Sequence, residues 1–555
     1  MSSHNSQASP TTLRIERRGG DAAAAPRFRV LIADPISKAG LAPLANDPRF
    51  ELIEQSGLAD DALARALDDV DAVIVRSTSQ ITRAALREGS RLRVIGRAGV
   101  GVDNIDVDAA TERGIAVLNA PAGNTVSAAE LAFALLLALV RRVPAADRSM
   151  KRGEWDRKSF SGIELHGKVL GLVGAGRIGG EVARRARAFG MQVVAFDPFL
   201  AAERAKVLGI ELASFDDVLA RADVLSLHVP LTDQTASLIG EKAFRDMKEG
   251  AFLINAARGG VVDEDALVRA LNDGRLGGAA LDVYATEPLP ADHPLRTLEN
   301  VVLTPHVGAA TAEAQQNVAI EIAEAVRAAL GEGDLSRAIN APAIGGEAMQ
   351  RLRPALDLAE RLGRLAGALV GVPITRLEVR YAGEAAEVLR PLTSAVLVGT
   401  LGGIVGRSAV NLVNAMHVAR TRGIAVTRTR LADHGNYAEY VEVSVGDGRT
   451  DLLVAGALLD ASHPRVVRIN DFHVDIRPRG TFVLLRNRDV PGVIGRVGSV
   501  LGEAGVNIAE YHQARIARGG DALAAISVDG LPDERVTQQL AAIPEVKDVR
   551  QVQLD

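Results

Sequence analysis

The chain has 555 residues, too many for one core, so three or four domains are expected. Its 64 basic and 69 acidic side chains leave a net charge of −5, which excludes a nucleic-acid footprint spread over the whole chain. There is no cysteine, which excludes a disulfide scaffold, a thiolate metal site and a cysteine nucleophile, and fits a reducing, cytoplasmic setting.

Residues 1–27 are rich in Ser, Ala and Arg without an apolar h-region, so a disordered extension is expected there, with Glu16 and Asp21 speaking against a transit peptide. Phe28 to Asp34 reads as a first buried strand, and strand-like runs follow at Val73–Arg76 and Leu92–Ala98, with helical segments between them. That alternation predicts a small parallel α/β domain. The apolar run Leu131–Val140 is too short for a membrane span, which needs roughly 20 residues. Ser127 and Glu130 precede it as a capping box, so a buried helix from Ser127 to Arg142 is expected.

Lys168 to Phe199 carries the strongest signal. An apolar strand, Val169–Val173, runs into Gly174, Gly176 and Gly179, and a helix and a second strand, Gln192–Phe196, follow. Gly174 permits the tight turn, Gly176 lets backbone approach a pyrophosphate, and Gly179 lets helix and strand pack closely. The helix N-terminus offers free N–H groups to the anion. Asp197, 18 residues beyond Gly179, suits the adenosine ribose and repels a 2′-phosphate, so the cofactor expected is NAD.

Further parallel strands are expected at Val224–Val229, Ala251–Asn255, Ala279–Val283 and Val301–Thr304, and an Ala-rich helix over 312–330 is expected to cross back to the first domain. Gly331–Gly346, rich in Gly, Ala and Pro, reads as a linker. Beyond it, 351–370 and 404–422 look helical, and Thr375–Tyr381, Tyr437–Val445, Leu452–Ala457 and Val466–Ile469 look like strands. The last 75 residues alternate as βαββαβ: Phe482–Arg486, Val493–Ala504, Asn507–Gln513, Leu523–Val528, Glu534–Ile543 and Lys547–Gln553.

Three strand ends of the second domain carry chemistry, where ligands of a parallel sheet collect. Arg258 follows one strand and suits a carboxylate, which its fork binds bidentately. Glu287 lies shortly after Asp282 at the next, and His306 lies at the last, two residues before Gly308. A histidine suits the proton of a hydroxyl, and a neighbouring carboxylate orients it. In the first domain Arg76 ends a strand, and the backbone of Ala98, Gly99, Val100 and Gly101, after Arg97, is expected to form an anion nest.

With Val75-Arg76-Ser77, Gly96 to Asn104 (GRAGVGVDN), Asn119 to Asn124 (NAPAGN) and Ser127 to Glu130, the chain resembles the D-isomer-specific 2-hydroxyacid dehydrogenases over roughly residues 28–555. Within them it is similar to the long branch acting on D-3-phosphoglycerate. The resemblance implies two doubly wound parallel-sheet (Rossmann/flavodoxin-like) domains, an α+β intervening domain and a βαββαβ ferredoxin-like ACT domain. Substrate would be bound by 28–125 with 306–333, NAD by 126–305, and 335–475 and 480–555 would be regulatory. Arg258, Glu287 and His306 are implied as the catalytic set. The implied NAD contacts are Arg177, Ile178, Asp197, Pro230, Ala256, Asp282 and Gly308, with Asp282 on the nicotinamide carboxamide.

By the same resemblance the substrate carboxylate and phosphate fall between Arg258 and the Arg76 and 98–101 groups, and Arg157 or Lys158 reaches a partner subunit's site. Asn487, Asp489 and Asn507 would hold L-serine across a dimer interface of a homotetramer. The implied reaction is the first step of serine synthesis, without a metal. Two other readings remain open: a dehydrogenase of an unphosphorylated acid such as glycerate, glyoxylate or lactate, and a dinucleotide-sensing corepressor-like scaffold.

Overall fold

The computed structural model describes residues 28–58, 60–87, 91–342, 346–383, 388–432, 437–460 and 462–554. The expected N-terminal extension, 1–27, lies outside them. The first sheet is built from β1 (Phe28–Ile32), β2 (Phe50–Glu54), β3 (Ala72–Val75), β4 (Val94–Arg97) and β5 (Ala116–Asn119), all parallel, in the order β2-β1-β3-β4-β5. These strands are short and apolar on both faces because helices cover both. The helix Ala312–Glu332 crosses back and buries Val318, Ile322 and Val326 on one face. Leu63, Leu67 and Ala109 fill the other.

The second sheet holds β6 (Val169–Val173), β7 (Gln192–Phe196), β8 (Glu211–Leu212), β9 (Val224–Leu227), β10 (Ala251–Asn255), β11 (Leu276–Leu281) and β12 (Val301–Leu303). The strands are parallel and ordered β12-β11-β10-β9-β6-β7-β8, so the order reverses between β6 and β9. A ligand crevice is expected at that switch point.

The helix beside it starts at Thr125, two residues before the expected capping box. Ser127 and Glu130 are not its cap. The Ser127 hydroxyl meets that of Thr311 at 2.7 Å, and Glu130 pairs with Arg185. Asn124 takes the N-cap position without a side-chain capping hydrogen bond.

The segment read as a linker is fixed along part of its length. Ile339 N–H donates to Val117 O, Asn340 accepts from Val117 N–H, and the Asn340 amide donates to Thr111 and Ile115. One asparagine thus does for the edge of β5 what a paired strand would do.

In the C-terminal half a mixed sheet of six strands comprises β13 (Arg376–Ala382), β14 (Ala425–Arg430), β15 (Glu439–Gly446), β16 (Asp451–Leu459), β17 (His463–Ile469) and β18 (Phe472–Ile476). The helix expected over 404–422 is displaced. The chain is helical over Leu389–Val405, breaks at Gly406 with φ 99°, and turns again over Ala415–Thr421. The first of these helices is buried on nearly every side, so it carries no amphipathic stripe to read.

The final sheet contains β19 (Thr481–Arg488), β20 (Ile508–Arg515), β21 (Asp521–Val528) and β22 (Val546–Gln553), antiparallel in the order β20-β21-β19-β22. Its helices bury Val483 and Leu485 on one face. On the other, Phe482, Leu484 and Val552 join the same apolar core as Leu377, Val441 and Val454 of the six-stranded sheet. The two C-terminal sheets therefore pack as one body.

Candidate active site

A cleft of about 380 Å³ opens at the switch point, lined by Ile178, Pro230, Ala256, Arg258, Asp282, His306 and Gly308 from the second sheet and by Arg97, Val100 and Gly101 from the first. The glycine loop frames it. Gly174 has φ 90°, and a Cβ there would come within 2.7 Å of His228 O, so β6 and β9 meet this closely only around glycine. A Cβ on Gly179 would meet Gly174 O at 2.3 Å, which fixes the helix against the turn. Around Gly176, the N-cap of Arg177–Ala188, nothing among the described residues lies within 4 Å of that position. The loop thus presents open space and free helix N–H groups, which fits a dinucleotide pyrophosphate.

Asp197 sits at the end of β7, where Oδ2 accepts from Ala175 N–H at 2.8 Å and Oδ1 from Phe199 N–H at 2.9 Å. Each oxygen keeps a second lone pair for a ribose hydroxyl. Asp282 is buried and does more than line the cleft. Its carboxylate accepts from Thr304 Oγ1 (2.6 Å), Val307 N–H (2.9 Å) and Gly308 N–H (2.9 Å). It thereby fixes the turn on which His306 stands with φ 55°.

His306 Nδ1 lies 2.7 Å from Glu287 Oε2, and the other carboxylate oxygen accepts from Tyr284 N–H at 3.0 Å. The imidazole is thus oriented through one nitrogen, and Nε2 is left for another partner. Arg258 stands on the turn after β10, braced by Asn255. The Asn255 amide donates to Arg258 O (3.0 Å), and its oxygen accepts from Ala257 N–H (3.1 Å). The guanidinium reaches across the cleft to Asp103 of the first domain, Nε to Oδ2 3.3 Å.

On the first-domain side the structure revises the expected nest. Ala98 N–H already donates to Val75 O and Gly99 N–H to Arg97 O, so these two amides are engaged within the fold. The cation that lines the cleft here is Arg97 itself. Its side chain is half-buried, Nη1 donates to Ala98 O, and Nε has no hydrogen-bond partner among the described residues. Burial, with Arg258 and Arg76 adding repulsion, pushes its pKa down to about 10. Sequence reasoning passed over Arg97 because the flanking glycines suggested backbone chemistry.

Two further residues were missed. Buried Asp34 accepts from Arg76 N–H and from Ser79, and the Asn104 amide donates to Arg76 O (2.8 Å) and Ser79 O (2.6 Å), so together they fix the Arg76 loop.

Arg157 and Lys158 are exposed and lie outside the residues lining this cleft, beside a Trp155 that is 79% exposed. The expected effector residues do not meet within one chain. Asn487 pairs with Ala522 at one end of β21, whereas Asn507 precedes Ile508, which pairs with Val528 at the other. At about 3.3 Å per residue that is roughly 20 Å. Asp489 lies at the Asn487 end, its N–H donating to Gly520 O. Asn487 is fully buried, with its amide donating to Arg488 O.

Comparison with known proteins accounts for most of the chain. Residues 133–308 match the D-isomer specific 2-hydroxyacid dehydrogenase NAD binding domain, 351–470 the D-3-phosphoglycerate dehydrogenase intervening domain, and 481–545 the ACT domain. The D-3-phosphoglycerate dehydrogenase of Bacillus subtilis is 40% identical over 95% of this chain and 100% of its own. That of Synechocystis is 40% identical over 95% of both. The chain belongs to the D-3-phosphoglycerate dehydrogenase family. Its second domain is therefore an NAD-binding domain, and its C-terminal domain an ACT domain. Among solved structures, a glyoxylate reductase from Paecilomyes thermophila is 34% identical and covers 57% of this chain and 99% of its own, with a TM-score of 0.52. The TT0316 protein from Thermus thermophilus is 38% identical over 55% of this chain and 97% of its own, with a TM-score of 0.51.

Proposed function

We propose that the chain is an NAD-dependent oxidoreductase converting 3-phospho-D-glycerate into 3-phosphooxypyruvate, the first step of L-serine biosynthesis. The observation that carries this reading is the convergence of Arg97 and Arg258, one from each catalytic domain, on a single cleft, with Arg76 near enough to add to the field at Arg97. Three guanidinia against the two carboxylates of Asp103 and Asp34 leave room for a ligand with two anionic ends, a carboxylate and a phosphate.

In this reading Arg258 grips the carboxylate, while Arg76, Arg97, Val100 and Gly101 receive the phosphate end. His306 Nε2 accepts the proton of the C2 hydroxyl. Glu287, at 2.7 Å from Nδ1, stabilises the imidazolium that results. Bound NAD supplies the acceptor for the C2 hydride. Arg177, Ile178, Asp197, Pro230, Ala256, Asp282 and Gly308 would hold it, and the glycine-loop space fits it.

Assembly belongs to the same proposal. The separation of Asn487 from Asn507 favours an L-serine site completed only by a second copy, and exposed Trp155 favours Arg157 or Lys158 serving a partner's cleft. A cytoplasmic homotetramer completes this reading. The test is NAD reduction with D-3-phosphoglycerate against D-glycerate. A strong preference for the phosphorylated acid is expected. Preference for glycerate would point to another hydroxyacid, and no turnover with either to a sensing scaffold.

A further inference from the structure

Glu321 lies outside the cleft, on the helix Ala312–Glu332, yet its carboxylate joins three segments of chain. Oε2 accepts the N–H groups of Ala122 (3.1 Å) and Gly123 (2.9 Å), in the turn by which the chain leaves the first sheet for the second. Oε1 accepts from Arg337 Nη1 at 2.8 Å, in the segment that Asn340 fastens to β5 on its way to the C-terminal half. The Glu321 side chain is only 13% exposed.

The packing there leaves no slack. A Cβ on Gly123 would meet Val318 N at 2.6 Å, so helix backbone lies directly against the turn. The return crossover, which ends at Thr311, is joined to the outgoing one through the hydroxyl of Ser127. The outgoing crossing therefore runs beside Glu321, and the return crossing is tied to it further along the chain, at Ser127. A carboxylate accepting two backbone N–H groups makes charge-assisted bonds, roughly twice as strong as neutral ones.

We propose that Glu321 is a positioning residue for the dehydrogenase reaction: it sets the hinge between the two catalytic domains and, through Arg337, lets the C-terminal half bias it. The inference rests on the active-site reading above, because only a ligand held by both domains senses their spacing. Arg97 and Arg258 stand on opposite sides of the hinge, whereas the dinucleotide groups, apart from Gly308 in the return crossing, stand on one. The hydroxy acid should feel the latch and the dinucleotide should not.

The test compares wild type, Glu321→Gln, Arg337→Met and the double variant in the full chain. Glu321→Gln keeps one acceptor oxygen but turns an NH2 towards either the turn or Arg337. It is expected to lower kcat/KM for the acid about tenfold, the scale of a small misplacement of reacting groups, with NADH affinity by fluorescence titration within about twofold of wild type. Arg337→Met should act in the same direction, and the double variant should be no worse than Glu321→Gln alone, because the two residues act as one unit. Amide hydrogen exchange at 122–123, which needs no turnover, should accelerate in each. That readout separates failure of the latch from failure of the active-site reading. Unchanged exchange, unchanged acid kinetics in an active enzyme, or NADH affinity falling in parallel would overturn the proposal. Should Glu321→Gln not fold, Arg337→Met, which alters a more exposed side chain, decides by the same readouts.

Discussion

A Cβ on Gly99 would lie 1.4 Å from Nη1 of Arg97. The glycine, at φ 154°, is there to clear the guanidinium. Gly101 stands in the same relation to Arg258, whose Nη2 would lie 2.1 Å from a Cβ at that position. Two glycines of one loop thus make room for one cation from each catalytic domain, so the loop sets where both guanidinia lie.

Gly99→Ala should therefore behave as a displaced Arg97 rather than as an unfolded protein. Both Gly99→Ala and Arg97→Met are expected to raise KM for D-3-phosphoglycerate about tenfold or more, the scale of one charge-assisted contact, while turnover of D-glycerate changes little. Steady-state kinetics with the two acids checks this. Equal losses with both would move Arg97 away from the phosphate end.

His306 and Glu287 should separate cleanly in kinetics. His306→Asn removes the group that takes the proton, and kcat/KM is expected to fall by at least about two orders of magnitude, as is typical of a positioned acid–base group. Arg258→Ala should fall at least as far. Glu287→Gln preserves a hydrogen bond to Nδ1 but removes the charge that stabilises imidazolium, so a smaller loss, about tenfold, is expected, mostly in kcat. Near-wild-type turnover by His306→Asn would remove it from the reacting set.

The glycine loop, the strand-end residues and the βαββαβ rhythm were legible because each is local: a period, a turn or a fixed spacing. What escaped was long-range or unpatterned. Arg97 looked incidental until β4 set it beside Arg258 and Arg76. Asp34 and Asn104 act on a loop some 25 to 45 residues away, where no spacing rule reaches. The helix Leu389–Val405 is apolar all round and interrupted by glycine, so its period was hidden, and the break at Gly406 was read through as helix. The capping-box pattern at Ser127 matched by chance, and the hydroxyl serves Thr311 instead.

The proposed L-serine site, with Asn487 and Asn507 at opposite ends of one sheet, predicts complementation. Asn487→Ala and Asn507→Ala should each abolish L-serine binding in their own homo-oligomers. Mixed dimers of the two keep one site with both asparagines and one with neither, so calorimetry should recover about half the wild-type stoichiometry, as an isologous interface requires. Full loss in the mixture would mean the two residues do not share a site.

His228 makes the stability of the catalytic half depend on pH. It lines the dinucleotide cleft, its Nε2 lies 2.9 Å from Ser226 Oγ, and burial pushes its pKa down to about 4. The unfolded chain takes up the proton near pH 6.5, the folded one only near 4, so unfolded protein binds more protons throughout that window. Stability from this group is complete above pH 6.5 and is lost as pH falls towards 4, to a maximum of about 3 kcal/mol. Carboxylates such as Asp47, held down to about 2 by Arg49, titrate mostly below this window. His228→Asn cannot take up the proton. Its melting temperature relative to wild type should therefore rise as the buffer goes from pH 7 to pH 5, whatever its offset at neutrality. A constant difference across that range would mean that His228 is protonated in the folded enzyme as readily as in the unfolded chain.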